Sequence, residues 1–180
     1  MATTNLLDST EGMYYTDAPL MERVLVPYKH NCKYLKLADV IREDDPQEQD
    51  KVTGVCEFVI DESCYIDDTG HFNSVEFNIC YNQMMYYVIA KSVKEGLMRS
   101  FGNWALSDFW KKQLPDILIV DFKSSFRKSI NARKFYGEIM FTNIRMRKGL
   151  MYINTECRYW DDNNGICSGE VVLAIVNPVI

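Results

Sequence analysis

The chain has 180 residues, of which 47% are apolar and 25% charged, and its formal net charge is −5 at pH 7. That length suits one domain with a continuous core, and the apolar content excludes a disordered chain. The mixed, net acidic surface repels a phosphate backbone and so excludes nucleic acid. An acidic carrier protein needs only one local basic patch to dock, and it stays open as a partner.

Residues 1–17 read as a disordered segment ahead of one domain over 18–180. Met1–Glu11 lacks the basic and apolar regions of a signal peptide, and no apolar run reaches the length of a transmembrane helix. A cytoplasmic protein with no membrane span is therefore expected. Ala18–Val26 carries Leu20, Val24 and Leu25 at helical spacing, and Pro27 stops it. Tyr34–Ile41 and Val52–Ile60 alternate as strands on either side of the charged loop Arg42–Lys51. Phe72–Lys94 has no Pro or Gly and is apolar over most of a helix circumference, which predicts a buried helix with Gly96 as its C-cap. Leu106–Leu114 is a shorter amphipathic helix ending before Pro115.

Four strands follow: Ile117–Ile130, Arg133–Arg147, Leu150–Trp160 and Cys167–Val176. They turn at Asn131-Ala132, Lys148-Gly149 and Asp161–Gly165. The plan is α+β, a single hot-dog domain with a six-stranded antiparallel sheet wrapped around one long buried helix. Its open sheet edge predicts a homodimer or larger assembly. The six cysteines include no C-x-x-C pair and sit in apolar runs, so six reduced, mostly buried thiols are expected. No cofactor and no metal are expected, since Glu62, Asp67 and Asp68 lack ligand spacing.

Polar groups gather between the second strand and the long helix, in Tyr65–Glu76. A buried helix start presents unpaired N–H groups and the positive end of its dipole, suited to a thioester oxygen. His71 has a base's intrinsic pKa, and Glu76 can orient it, replace it or only answer the helix dipole. Asn73 reads equally as an N-cap or a ligand group, and Asn82 as a paired buried amide or a binding group. His30 reads as a surface residue and the Met84–Tyr87 run as core. Cys64 and Cys80 read as inert packing.

His71-Phe72 before a buried helix, with Gln83 inside it, is similar to the dehydratase branch of hot-dog enzymes. The Pro-Gly elements usual after that pair are here Asn73-Ser74-Val75-Glu76. A closer resemblance is to the FcoT family, carried by Arg23–Tyr28, Tyr65-Ile66, Thr69–Glu76, Cys80–Gln83, Ser124–Lys128 and Ser168–Glu170. It runs from about Arg23 to Ala174. The family comprises long-chain fatty acyl-CoA thioesterases and (2E)-enoyl-acyl-carrier-protein glycyltransferases of isonitrile lipopeptide pathways. The resemblance implies substrate-handling roles for Tyr28, Tyr65, Asn73 and Asn82, which would otherwise be packing or capping residues.

Adding glycine to such an enoyl thioester needs donors for the thioester oxygen and a base for the ammonium. The first is expected from the helix start with Tyr65 or Asn73, the second from His71 or Glu76. It also needs a cation for the carboxylate, for which Arg127 suits better than Lys128. Strand alternation predicts that only one of those two faces the site. The rival readings are a long-chain fatty acyl-CoA thioesterase and a non-catalytic acyl-binding module.

Overall fold

From Ser74 to Glu95 nothing interrupts helical hydrogen bonding, and the chain forms one 22-residue helix closed by Gly96 at φ 66°. The computed structural model describes residues 12–43 and 50–180, so most of the loop expected at Arg42–Lys51 lies outside it, as do residues 1–11. The elements are β1 (Met13–Tyr14), α1 (Ala18–Val24), β2 (Leu35–Arg42), β3 (Val52–Phe58), α2 (Ser74–Glu95), α3 (Leu106–Lys112), β4 (Ile117–Lys128), β5 (Phe135–Arg147), β6 (Leu150–Trp160) and β7 (Ile166–Ile175). Single 3-10 turns occur at His30–Cys32 and Arg99–Phe101. The strands form one antiparallel sheet in the order β1-β2-β3-β5-β6-β7-β4, with seven strands where six were expected.

The extra strand is β1, too short to signal itself by alternation. Residues 13–17, read from the sequence as part of a disordered segment, are held by specific bonds. Thr16 donates from its backbone N–H and its hydroxyl to Asp39 Oδ1, at 2.7 and 2.8 Å. Asp17 caps α1 by accepting from Leu20 N–H at 3.1 Å and pairs with Lys94 of α2.

The sheet curls around α2 because its inward side chains are the apolar ones. Val52, Cys56 and Phe58 of β3, Phe135, Ile139 and Phe141 of β5, and Met151, Ile153 and Tyr159 of β6 all point inward and are buried. An aromatic box closes one end of this core. Phe72 lies 4.6 Å from Phe135 and 5.1 Å from Tyr159 between ring centroids, and Phe77 lies 4.8 Å from Tyr159. Such pairs add about 0.5–1.5 kcal/mol each beyond area burial. Gly137 makes the box possible, since a Cβ there would stand 2.8 Å from the Phe58 ring and 2.9 Å from that of Tyr159.

Two polar side chains deep in the core, Tyr81 and Gln83, are paired, as burial favours. Tyr81 Oη lies 2.7 Å from Thr155 Oγ1, which itself donates to the Val171 carbonyl at 3.1 Å. Gln83 Oε1 accepts from the N–H groups of Tyr34 and Leu35, both at 3.0 Å, and its Nε2 donates to the Cys32 carbonyl at 2.5 Å.

The approach to α2 is fixed from the far side of the sheet. Phe72 N–H donates to Ile130 O at 3.0 Å, and Ile60 N–H to Ala132 O at 2.9 Å. The 130–132 loop is held in turn by Asp161, whose carboxylate accepts from Asn131 at 2.7 Å, Gly165 at 2.7 Å and Asn163 at 2.9 Å. Burial works against the charge, but these three N–H bonds prevail and keep the carboxyl below its usual range. A lowered folded-state pKa stabilises above the unfolded value and is lost as pH falls through the folded one. Wild-type stability should therefore drop on acidification below about pH 4. Asp161→Asn should cost about 1.5–3 kcal/mol at neutral pH and flatten that acid limb, as read from urea unfolding across pH.

Candidate functional site at the start of α2

Asn73 is the N-cap of α2, and its Oδ1 accepts from Val75 N–H at 3.0 Å and Glu76 N–H at 3.2 Å. Glu76 completes a capping box, its Oε2 accepting from Asn73 N–H at 3.3 Å. The Tyr65 hydroxyl donates to the same Asn73 oxygen at 2.8 Å. Two consequences follow for the expected oxyanion donors. Asn73 and Val75 N–H are occupied by the cap, whereas Ser74 N–H is free among the described residues. Asn73 Nδ2 is buried and has no partner there either. A buried donor left unpaired is costly unless something else satisfies it.

His71 stands just outside the helix on a turn made by Gly70, whose φ is 75° and whose N–H donates to Asp68 Oδ1 at 2.8 Å. His71 Nδ1 lies 3.0 Å from the Thr69 carbonyl oxygen. A carbonyl only accepts, so Nδ1 carries the proton in the neutral ring and Nε2 is left as the basic nitrogen.

His71, Phe72, Asn73 and Ser74 form one wall of an open cleft of about 390 Å3, and Phe126, Arg127, Lys128 and Ser129 form the other. Both cations line it, against the expectation of strict alternation. The β4–β7 register shifts between Phe126 and Lys128, so Arg127 is an extra residue opposite no partner. Such a bulge re-aims side chains at a strand end. Lys128 Nζ donates to the Asn163 carbonyl at 3.0 Å.

The other expected residues stand apart from this cleft. The Glu76 carboxyl is 2% exposed and spent in the capping box, so the catalytic role read for it from sequence gives way to a structural one. Tyr28 packs half-buried against the core, and burial, with Tyr86 and Cys80 nearby, pushes its phenol well above the ordinary range. Asn82 donates back to Asn78 O and Oδ1 at 3.0 and 2.8 Å, on the flank of α2 that the sheet leaves open. That flank continues through Ile79 to the exposed Val75.

Two features escaped the sequence reading. Arg133 clamps the loop before the cleft, donating to the carbonyls of Ile60 and Asp61 and pairing with Asp68. Cys32 and Cys64 form a disulfide with Cα atoms 5.4 Å apart, which corrects the expectation of six free thiols. No spacing signals such a bond, since 32 residues separate the two cysteines. Cys56, Cys80, Cys157 and Cys167 are free and buried, and burial raises all four thiols, to about 12 for Cys157 and Cys167. They are not nucleophiles at neutral pH.

A second hollow of about 440 Å3 lies on the outer sheet face among Lys123, Glu138, Arg158 and Glu170. Four of its charges pair, Arg158–Glu138 at 2.9 Å and Lys123–Glu170 at 3.5 Å, Glu156 adds a negative one, and no helix start lines it. Among the described residues no group of three His, Cys, Asp or Glu side chains is placed to hold a metal ion. No helix there is long and apolar enough to cross a membrane.

A long helix wrapped by one curled antiparallel sheet, with a polar cleft at the helix start, defines a hot-dog protein. Solved structures with this fold include thioesterase superfamily member 2 from Mus musculus, with a TM-score of 0.50 at 10% identity, covering 87% of this chain and 95% of that one. A thioesterase from Pseudomonas aeruginosa gives a TM-score of 0.51 at 8% identity, covering 89% and 94%. Within that class, residues 23–175 match the FcoT-like thioesterase domain, and the chain belongs to that family. It is 53% identical over 167 residues to a protein of Streptomyces coeruleorubidus named (2E)-enoyl-[ACP] glycyltransferase, covering 90% of this chain and 98% of the relative. Proteins of the same name from Mycobacterium bovis and Mycobacterium tuberculosis are 35% identical over 162 residues, with coverage of 88% and 86%.

The cap assignment for Asn73 is testable apart from chemistry. Asn73→Ala should lower stability by about 1–2 kcal/mol, while Asn73→Ser should stay within a few tenths of wild type because serine caps equally well. Equilibrium unfolding of both variants measures this.

Proposed function

We propose that the protein adds glycine across the C2=C3 bond of a (2E)-enoyl fatty acyl thioester on an acyl carrier protein, giving a 3-(carboxymethylamino)acyl product in isonitrile lipopeptide-type biosynthesis. The observation that carries this reading is the cleft itself. It brings a histidine with a free basic nitrogen, an uncapped helix N–H and two cations within one small space. The 53% identical relative, named as a glycyltransferase and matched over nearly its whole length, supports it.

In this reading His71 Nε2 takes a proton from the glycine ammonium, and the freed amine forms a bond to C3. The C2=C3 electrons shift toward the thioester oxygen, which accepts hydrogen bonds from Ser74 N–H and Asn73 Nδ2. The imidazolium then returns the proton to C2, so no net proton is gained or lost. Arg127 holds the glycine carboxylate through its two parallel donors, with Lys128 adding charge. Tyr65 steadies Asn73, and Tyr28 and Asn82 along α2 contact the acyl portion. Hydrolysis of an acyl-CoA would reuse the same oxygen donors with water as nucleophile. It leaves the paired cations without a role.

The same surface supports a homodimer. Among the described residues strand β4 pairs only with β7, and Leu118, Val120 and Phe126 along it are 42%, 54% and 44% exposed. A long apolar edge of this kind is normally covered, and a second copy would cover it beside the cleft.

His71→Ala should reduce the rate of glycine addition by about 10²–10⁴-fold while acyl binding survives. Arg127→Ala should raise KM for glycine and spare that for the thioester, and Arg127→Lys should restore it only in part. Asn73→Ser, with its cap intact, should lose about 10²-fold or more in kcat. Steady-state kinetics with each substrate varied in turn tests all three. A fully active His71→Ala protein would remove the base from the scheme.

A further inference from the structure

Four cysteines are sealed in the core, but Cys32 and Cys64 are bonded to each other, half-buried, next in sequence to Tyr65, whose hydroxyl meets Asn73 of the cleft wall. Their neighbours are the residues that hold the site. The Cys32 carbonyl accepts from Gln83 Nε2 in the middle of α2. Gln83 Oε1 holds Tyr34 N–H, and Tyr34 Oη accepts from Cys64 N–H at 3.0 Å. The next residue, Tyr65, donates to the N-cap of α2. A continuous set of contacts thus runs from the interior of α2 through the disulfide and back to its N-terminus.

The 61–70 loop has few other restraints. Arg133 ties it near its ends, at Asp61 and Asp68. Between those points the described ties are the disulfide, the Cys64–Tyr34 bond and the Tyr65–Asn73 bond. Ser63 Oγ, within this stretch, is buried without a partner. Opening the disulfide would leave two neutral hydrogen bonds, each worth about 1 kcal/mol net, against the conformational freedom of an exposed loop.

We propose that Cys32 and Cys64 form a redox latch that sets Tyr65 on Asn73 and so governs how tightly the cleft holds its acyl thioester. The proposal rests on the reading of that cleft as a thioester site. The oxidant is a low-molecular-weight disulfide. One cysteine thiolate attacks a sulfur of that disulfide and expels one small thiol, giving a mixed disulfide. The second cysteine thiolate then attacks the protein-side sulfur, closes Cys32–Cys64 and expels the other small thiol. The two protons lost by the cysteines end on the two small thiols released. A reducing dithiol runs the exchange in reverse. Tyr65 acts here as a positioning residue, through Asn73.

The full-length protein is equilibrated with an oxidised small disulfide or with dithiothreitol, and mass spectrometry after alkylation reports the state of Cys32 and Cys64. Reduction should speed amide hydrogen exchange across residues 61–68 and weaken binding of a saturated acyl thioester about five- to tenfold, the low end of typical coupling between sites. KM for the enoyl thioester should rise with it, and KM for glycine should hold. Cys32→Ser and Cys64→Ser should bind like the reduced protein under both conditions. Tyr65→Phe should show no redox dependence of affinity, since the bond through which the latch acts is gone. A merely structural disulfide would shift stability but leave affinity alike in both states, and that result overturns the proposal. So does a cysteine pair that stays alkylatable after oxidation, or a full redox shift persisting in Tyr65→Phe. If exchange and affinity respond but glycine addition is absent in both states, the latch stands and the glycine-addition reading falls.

Discussion

Burying α2 on most of its circumference constrains everything else in this protein. The helix emerges at the surface at its first residues, Ser74 and Val75, and there the chain itself caps its unpaired N–H groups. Asn73 and Glu76 supply that cap, and Phe72 anchors it to Ile130. The cap satisfies most of the orphan donors but not Ser74 N–H, and it leaves Asn73 Nδ2 unpaired at the same spot. The same cap thereby leaves two donors without partners among the described residues at the start of α2, where the proposed mechanism places the thioester oxygen.

The opposite wall of the cleft arises from a second constraint. Among the described residues β4 is the last strand of the sheet and pairs on one side only, so its end is free to bulge at Arg127. The bulge brings two consecutive cations to the wall facing the helix start, where Lys128 Nζ donates to the Asn163 carbonyl. The groups that the proposed mechanism uses as base, carboxylate holder and oxygen donors thus come from three local devices, a turn, a bulge and a cap.

Much of this was legible in the sequence, for reasons that differ by element. α2 was readable because no breaker interrupts 22 apolar-rich residues, and Gly96 marks its end. β5, β6 and β7 were readable from their turns, since Lys148-Gly149 and Asp161–Gly165 demand tight reversals. His71, Asn73, Arg127 and Lys128 do meet in one cleft. The two-residue β1 was not legible, because its pairing with β2 is dictated by Asp39 and Thr16 across the fold. The β4 bulge depends on register against β7, which no local pattern encodes. The same holds for the Arg133 clamp and the Cys32–Cys64 bond, which join residues distant in sequence. Glu76 looked like a candidate base because its type is right, and only its burial within the capping box assigns it otherwise.

The claim that this cleft joins an amino acid to an unsaturated thioester is tested most directly by intact mass spectrometry. A (2E)-enoyl thioester on a carrier protein is incubated with the enzyme and isotope-labelled glycine, and in parallel without glycine. The account predicts a thioester still attached to its carrier and heavier by one intact labelled glycine, formed only when glycine is present. Release of free fatty acid at the same rate with and without glycine, and no labelled adduct, would contradict it.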